Sequence, residues 1–480
     1  MKPPRILDEL EPVFHPRSIA VIGATADSHK MGFHYVRSLI EGGYAGRIYP
    51  VNPSASEIQG LKAYPSLSAV PGEVDLVIVS IPRTAVLALL DECAAKRVKA
   101  VHFFTAGFRE LGDETGIALE AQMVEKARRG GFRIIGPNCL GIYSAESRIP
   151  IGPTRQAGKP GNASFAIQSG GLSEKMALLA SSRNLYFGKG VSYGNGIDLD
   201  AADYLDYFAA DPATQIIGLY IEGTRDGARF LRSLQQAAAV KPLVAWKGGA
   251  TGCGAATAVC HTGAMATPAH VWTAAFRQAG VPEVYGLDEL ADALLAFQVL
   301  GRLPGKRAAV LTGVMGGGGG AAVAASDALS RAGLEMASIL PETGRRIASL
   351  IGEIGSIFIN PVDVSQARGR LPVLRQCLEA LAADPGVDFL LVQEEIDVML
   401  RGRGWEDVSA FNAFVCEVKQ SLSRPLVMVL PTGLSEEYRQ KAADSFTSCG
   451  IPVFPSATRA AGALAVVARY QDYHRPAVLH

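Results

Sequence analysis

The sequence predicts an α/β protein in which three doubly wound parallel sheets follow one another along the chain, and three observations point to this. Short apolar, β-rich runs alternate with longer stretches of helical periodicity from end to end, the pattern of strands joined by crossover helices. The 480 residues exceed what one hydrophobic core usually organises. Two stretches rich in proline and glycine, ESRIPIGPTRQAGKPGN (146–162) and GRLPGKR (301–307), divide the alternation into units of similar size.

The elements follow in order. Strands are expected at 18–23, 47–52, 75–81, 101–106 and 133–136, with helices at 33–41, 85–96 and 115–129 between them. This defines a first domain, 1–145. A second, 146–300, has strands at 164–168, 188–191, 215–222 and 243–247 and closes with helices over 266–280 and 287–300. The third, 301–480, has strands at 308–312, 335–337, 388–393, 425–430 and 452–454.

Bulk properties narrow the class. Lys+Arg and Asp+Glu each number 46, so there is no formal net charge to favour nucleic acid or an anionic membrane. The seven cysteines form no CxxC pair and no zinc-spaced cluster, and read as reduced thiols of a cytoplasmic protein. MKPPRILDELEPVFHPRS has charges and prolines where a signal peptide needs an apolar run. No stretch approaches the roughly 20 apolar residues of a membrane helix. The 52 glycines fit tight strand-to-helix turns, where backbone approaches a ligand.

The first such turn is Ile22-Gly23-Ala24-Thr25, whose small residues would let backbone N–H groups meet a phosphate at a helix N-terminus. It is not GxGxxG, and the second strand ends in Val51-Asn52-Pro53 without the carboxylate a dinucleotide ribose requires. That disfavours a NAD-dependent dehydrogenase. A plain turn without ligand remains open on this motif alone. The order HPRSIAVIGAT, GGYAGRIYPVNP, EIQGLKAYPSL, VDLVIVSIP, TAGFRELG and IIGPNCLG carries more. Over residues 14–143 it resembles the Rossmann-like CoA-binding domain of acyl-CoA synthetases in the succinyl-CoA synthetase superfamily. The resemblance implies coenzyme A as substrate. It places Gly23, Ala24 and Thr25 near the CoA phosphates. Asn52 and Pro53, Ser80, Ile81 and Pro82, and Thr105, Ala106, Gly107 and Phe108 then form the groove, with Asn138 near the thiol.

Of the eight histidines, His261 has the richest surroundings. A strand ending at Lys247 leads into a long loop of small residues, then His261-Thr262-Gly263, then a helix ending in QAGV. A lone histidine is more often structural, but this succession resembles the phosphohistidine segment of the same superfamily, in which neutral imidazole relays a phosphoryl group. Cys260 and Ala264 depart from the serines common there. Gln168-Ser169-Gly170-Gly171 is a strand, Gly turn and helix start suited to phosphate or acyl phosphate. Gly194-Asn195 resembles the family's Ser-x-Gly-Asn turn, and Glu222 the glutamate that orients the imidazole, against the alternative of a solvated strand-end carboxylate. Lys247 reads as structural or electrostatic.

VMGGGGGA satisfies GxGxxA at Gly316, Gly318 and Ala321, but with Asn360-Pro361-Val362-Asp363 it fits better the family's flavodoxin-like third, CoA-ligase domain. No GxxxxGK[ST] loop occurs, and no stretch remains for an ATP-grasp fold. The chain therefore resembles the α subunit of an ADP-forming acetate–CoA ligase. That implies an ATP-grasp β subunit holding ATP/ADP and Mg, in a hetero-oligomer such as α2β2. The substrate pair is a carboxylic acid and its acyl-CoA. Two alternatives stand: a relative coupling CoA ligation to further chemistry on the acyl-CoA, and a non-catalytic CoA or acyl-CoA sensor.

Overall fold

The computed structural model describes residues 5–152, 154, 159–262, 268–314, 318–351, 357, 359–367 and 369–474, without the side chains of 5, 259–262 and 367. The first sheet contains β1 (Ser18–Ile22) and β2 (Arg47–Val51), and after the short hairpin β3 (Glu57–Ile58) and β4 (Leu61–Lys62), β5 (Leu76–Val79), β6 (Ala100–Phe103) and β7 (Arg133–Ile135). Its order is β2-β1-β5-β6-β7, parallel throughout. Chain order reverses between β1 and β5, and doubly wound sheets bind ligands in the crevice at such a reversal.

The second sheet has the same winding. It comprises β8 (Gly141–Ser144), β9 (Ala163–Ile167), β10 (Phe187–Ser192), β11 (Ile216–Ile221), β12 (Leu243–Lys247) and β13 (Glu283–Val284), in the order β13-β12-β11-β9-β10-β8. Its edge strand β8 runs antiparallel to β10, and its order reverses between β9 and β11. The third sheet repeats the plan with β14 (Arg307–Thr312), β15 (Glu335–Met336), β16 (Val362–Asp363), β17 (Phe389–Gln393), β18 (Leu426–Val429) and β19 (Val453–Phe454). Its path is β15-β14-β17-β18-β19, with β16 beside β14. Strand interiors are apolar and buried on both faces, as sheets covered by helices on both sides require.

The chain forms two compact units. One comprises residues 1–181 and 186–287 and holds the first two sheets; the other comprises 182–185 and 288–480 and holds the third. Helix Leu287–Leu300, expected to close the second domain, thus belongs almost wholly to the second unit. Within the first unit a continuous core joins the two sheets, running from Leu10, Val13 and Phe14 through Tyr193 and Tyr204 to Phe230 and Trp272. Phe14 stacks on Tyr207 with ring centroids 4.9 Å apart. Arg133, at the start of β7, pairs with Asp198 at 3.0 Å and Glu9 at 3.1 Å.

Four features differ from the sequence reading. Residues Arg5–Phe14 form a helix: Ile6, Leu7, Leu10, Val13 and Phe14 fall on one face, and burial of that stripe offsets the internal Pro12. Strand β8 was not expected. The small-residue loop before His261 is largely a helix, Gly252–Thr262, because Ala255, Ala256 and Ala258 favour helix and the Thr251 hydroxyl accepts the Gly254 N–H at 3.1 Å. Cys416 and Cys449, expected as free thiols, are disulfide-bonded across 33 residues, joining helices Trp405–Ser421 and Glu436–Ser448. Distance in sequence hid a pairing that needs the two helices side by side. No helix among the described residues is long and apolar enough to cross a membrane.

Removing the Phe14 ring deletes a fully buried side chain from the seam between the first two sheets. Phe14→Ala should lower the stability of the first unit by about 3–5 kcal/mol, read as an earlier denaturant midpoint by tryptophan fluorescence; a shift below ~1 kcal/mol would show the seam not to be tightly packed.

Candidate active site

At the reversal in the first sheet, β1 leads into Gly23 and β5 into Ser80. Gly23 has φ +84°, and a Cβ there would lie 2.3 Å from the Ser80 carbonyl, so only glycine fits. The Asn52 side chain donates to the Ala24 carbonyl at 2.8 Å and accepts from the N–H groups of Ser54 and Ala55, which fixes the neighbouring turn. Thr105 donates to the Ile81 carbonyl at 2.7 Å. Pro53, Pro82 and Ala106 are exposed along this edge, with Thr25, Ser80, Ile81 and Gly107 half-buried. Ala24 and Phe108, expected as groove residues, are fully buried core side chains that can offer a ligand only backbone.

The first and second sheets meet at a cavity of about 240 Å³. Four expected residues line it: Asn138, Gln168, Gly170 and Gly171. Helix Gly170–Ser182 starts there, so its N-terminal amides face the space. Four others were missed: Phe104, Cys139, Leu140 and Glu174. Glu174 lies one helical turn beyond Gly170, a spacing legible in the sequence; the other three depend on how the sheets approach. Asn138 has φ +58° and donates its N–H to the Thr105 carbonyl at 3.0 Å, tying the cavity to the CoA-type edge. Ser169 is buried, its hydroxyl 3.4 Å from the Leu172 N–H.

Gly194 and Asn195 serve the frame instead. A Cβ on Gly194 would lie 2.2 Å from the Pro137 carbonyl, and its N–H donates to the Gln168 carbonyl at 3.1 Å. Asn195, expected at the phosphate, uses its amide N–H groups on Glu110 at 2.7 Å and Glu120 at 2.9 Å, and it does not line the cavity. Arg109 pairs with the buried Glu120 carboxylate at 3.0 Å, and Arg225 lies 3.7 Å from it.

At the reversal in the second sheet, the Gln168 side-chain oxygen accepts from the backbone N–H of Glu222 at 2.7 Å and of Gly223 at 3.2 Å. Glu222 is buried, and the Tyr220 hydroxyl donates to its carboxylate at 2.9 Å. It is therefore a held carboxylate and not a solvated strand end. Lys247, closing β12, is buried with Nζ 5.2 Å above the Trp272 ring and donates to the Gly248 carbonyl. Burial lowers its pKa below the ordinary lysine value, with the charge of Glu222 opposing that shift. From there the chain enters helix Gly252–Thr262, which packs on the 3-10 turn Arg109–Leu111. His261 is on this helix. Its side chain, those of Cys260 and Thr262, and residues 263–267 lie outside the described residues.

In the third sheet a carboxylate lies at the reversal. Thr312, Gly313 and Gly318 surround the buried Asp363 carboxylate: a Cβ at Gly318 would lie 1.9 Å from its Oδ1, and one at Gly313 2.6 Å. The expected Gly316 lies outside the described residues. The Asp363 carboxylate thus packs against the described ends of the VMGGGGGA turn.

Similarity to known proteins follows the same division. Residues 17–145 match the CoA binding domain family and 160–297 the succinyl-CoA ligase like flavodoxin domain. The chain is 35% identical over 448 residues to the α subunit of ADP-forming acetate–CoA ligase II of Pyrococcus furiosus, covering 93% of this chain and 94% of that one. The chain belongs to the ADP-forming acyl-CoA synthetases. It is an acid–thiol ligase, and coenzyme A is its thiol substrate. The α subunit of the Pyrococcus furiosus ligase I is 33% identical, covering 97% of this chain and 98% of that subunit. Among solved structures, acetyl-coenzyme A synthetase 1 of Ca. Korarchaeum cryptofilum, in complex with phosphate and ADP, is 30% identical with a TM-score of 0.81, covering 97% of each chain. A Pyrococcus horikoshii protein of the same identity reaches 0.82, covering 97% of this chain and 99% of its own. Relatives named as α subunits imply a partner subunit.

Behind the cavity, His102 is fully buried and its Nε2–H donates to the Cys139 carbonyl at 3.1 Å. Burial drives its pKa down from 6.5 to about 4, the hydrogen bond opposing. Above 6.5 both folded and unfolded forms hold it neutral; below, the unfolded chain takes the proton first. Stability of the first unit should fall by about 3 kcal/mol between pH 6.5 and pH 4 from this group. Denaturant unfolding across that range, compared with His102→Gln, should show a flatter profile in the variant; parallel profiles would count against it.

Proposed function

We propose that this chain is the α subunit of an ADP-forming acyl-CoA synthetase that interconverts acyl-CoA, ADP and phosphate with carboxylic acid, CoA and ATP through an acyl phosphate and a phosphohistidine. The observation that carries the reading is the joined pair at the second sheet's reversal. Gln168 there ties the cavity floor to the buried Glu222, and the adjacent β12 leads into the helix bearing His261.

CoA lies along the C-terminal edge of the first sheet, with Gly23, Thr25 and the Asn52 turn at its phosphates and the 105–107 turn and Asn138 toward the thioester. Phosphate enters the cavity at the Gly170 and Gly171 amides, where a helix N-terminus stabilises negative charge. Its oxygen attacks the thioester carbon. The C–S bond breaks, the thiolate takes up a proton, and an acyl phosphate remains over the same amides. His261 then attacks phosphorus, releasing the carboxylate. Glu222 accepts a hydrogen bond from the imidazole, holding its tautomer and balancing the positive charge that develops on the ring. The phosphoryl group passes to ADP in a partner with an ATP-grasp fold, which binds the nucleotide and Mg. The names of the two Pyrococcus furiosus relatives, both α subunits, support a separate partner.

With the partner, ATP and magnesium, an acid-labile phosphoryl group should appear on this chain at His261. Label that survives His261→Ala would sink the mechanism. Glu222→Gln should slow labelling by about 10²-fold or more; an unchanged rate would remove Glu222 from the site.

A further inference from the structure

The cavity carries information about the acid. Among the described residues no lysine, arginine or histidine lines it. Its walls are apolar at Phe104 and Leu140, and one acidic side chain, Glu174, faces the space. Glu174 is half-buried and makes no hydrogen bond or ion pair with any described residue. Titratable neighbours are the buried Tyr35, whose hydroxyl is 3.4 Å from the Leu140 carbonyl, and Cys139, whose thiol burial pushes up to about 12. His102 stands behind Cys139. None of these supplies a cation. A carboxylate lining a half-open cavity without a partner among the described residues leaves acceptors that a ligand can satisfy.

Geometry fixes where that ligand group must be. Glu174 is one turn, roughly 6 Å, along the helix from the Gly170 amides, and its Cβ–Cα bond tilts back toward them. Nothing lies within 4 Å of a Cβ placed on Gly171, so the helix start is open there, while one on Gly170 would meet only Leu140 and the Ser192 hydroxyl, at 3.3 Å or more. An acid whose carboxyl carbon reacts over the amides of Gly170 and Gly171 brings the third or fourth atom of its chain to Glu174.

We propose that the acid taken by this site is short and carries a hydrogen-bond donor, a hydroxyl or an ammonium, near the far end of its chain, held by Glu174, and that this carboxylate rejects dicarboxylic acids. The proposal rests on reading the cavity as the acyl site. A site built to hydrogen-bond a substrate group discriminates against analogues lacking it, because its own polar group is left unpaired. A second carboxylate brought against Glu174 meets like charge, with no compensating cation among the described lining residues.

The test uses the complex with its partner and four acids of one length: butyrate, 4-hydroxybutyrate, 4-aminobutyrate and succinate. At least one donor-bearing acid should exceed butyrate in kcat/KM by tenfold or more, and the comparison of hydroxyl with ammonium identifies which donor is read. Succinate should fall at least tenfold below butyrate. Glu174→Gln, and independently Glu174→Ala, should shrink the donor preference and the succinate penalty about tenfold each. Butyrate equal to or better than both donor-bearing acids, or ratios unmoved by the variants, would overturn the proposal. ATP-dependent labelling of His261 is measured in parallel. If labelling fails in the wild type, the phosphohistidine reading is at fault; if it persists and the ratios do not move, only the role of Glu174 is.

Discussion

The side chain of Gln168 is the fastening on which the candidate site depends. Its oxygen takes two backbone N–H groups from the end of a neighbouring strand, Glu222 and Gly223, while the backbone N–H of Gln168 donates to the Tyr220 carbonyl. Strand ends at a reversal in a doubly wound sheet diverge, which opens the crevice that ligands use. An amide bridging them keeps the crevice at a fixed width. The same residue lines the cavity and accepts the Gly194 N–H on its carbonyl, so the floor, the Glu222 carboxylate and the turn against Asn138 move together.

Around it the two sheets of the first unit share one core and not two. Phe14, Tyr204, Tyr207 and Phe208 are buried where the N-terminal helix, the first sheet and the second sheet converge. The strand ends of the first sheet and the helix start on the second keep their spacing through this apolar packing and the Arg133 ion pairs. Glycines act at the contact points: Gly23 against Ser80 and Gly194 against Pro137 occur where a side chain would strike a carbonyl.

Most of the architecture was legible because strands buried on both faces read as short apolar runs; β12 matches its expected span, and the other expected strands shift by one to three residues at their ends. What escaped was decided by tertiary contact. Strand β8 gains its partner only when it lies against β10. The helix before His261 was obscured by glycines that suggested a loop, although the alanines among them favour the opposite. For the site, residues at strand ends could be named from spacing and resemblance. Asn195 could not be placed correctly, since its partners Glu110 and Glu120 lie 85 and 75 residues away. Glu174 was overlooked because one acidic residue on a helix has no signature until the cavity it faces is known.

The third sheet repeats the winding of the other two yet carries its own anion. Asp363 sits beside the glycine turn before helix Gly318–Arg331, accepting from the Ser365 N–H at 2.9 Å, and Glu394 accepts the Val314 N–H at 2.8 Å. A carboxylate built into the chain competes with any phosphate at effectively infinite local concentration. Of three similarly wound sheets, the third thus places a carboxylate of its own beside the turn at its reversal. The repeat supplies one winding three times over, and a pair of acidic residues gives its last copy a negative charge at the turn where the others present backbone amides.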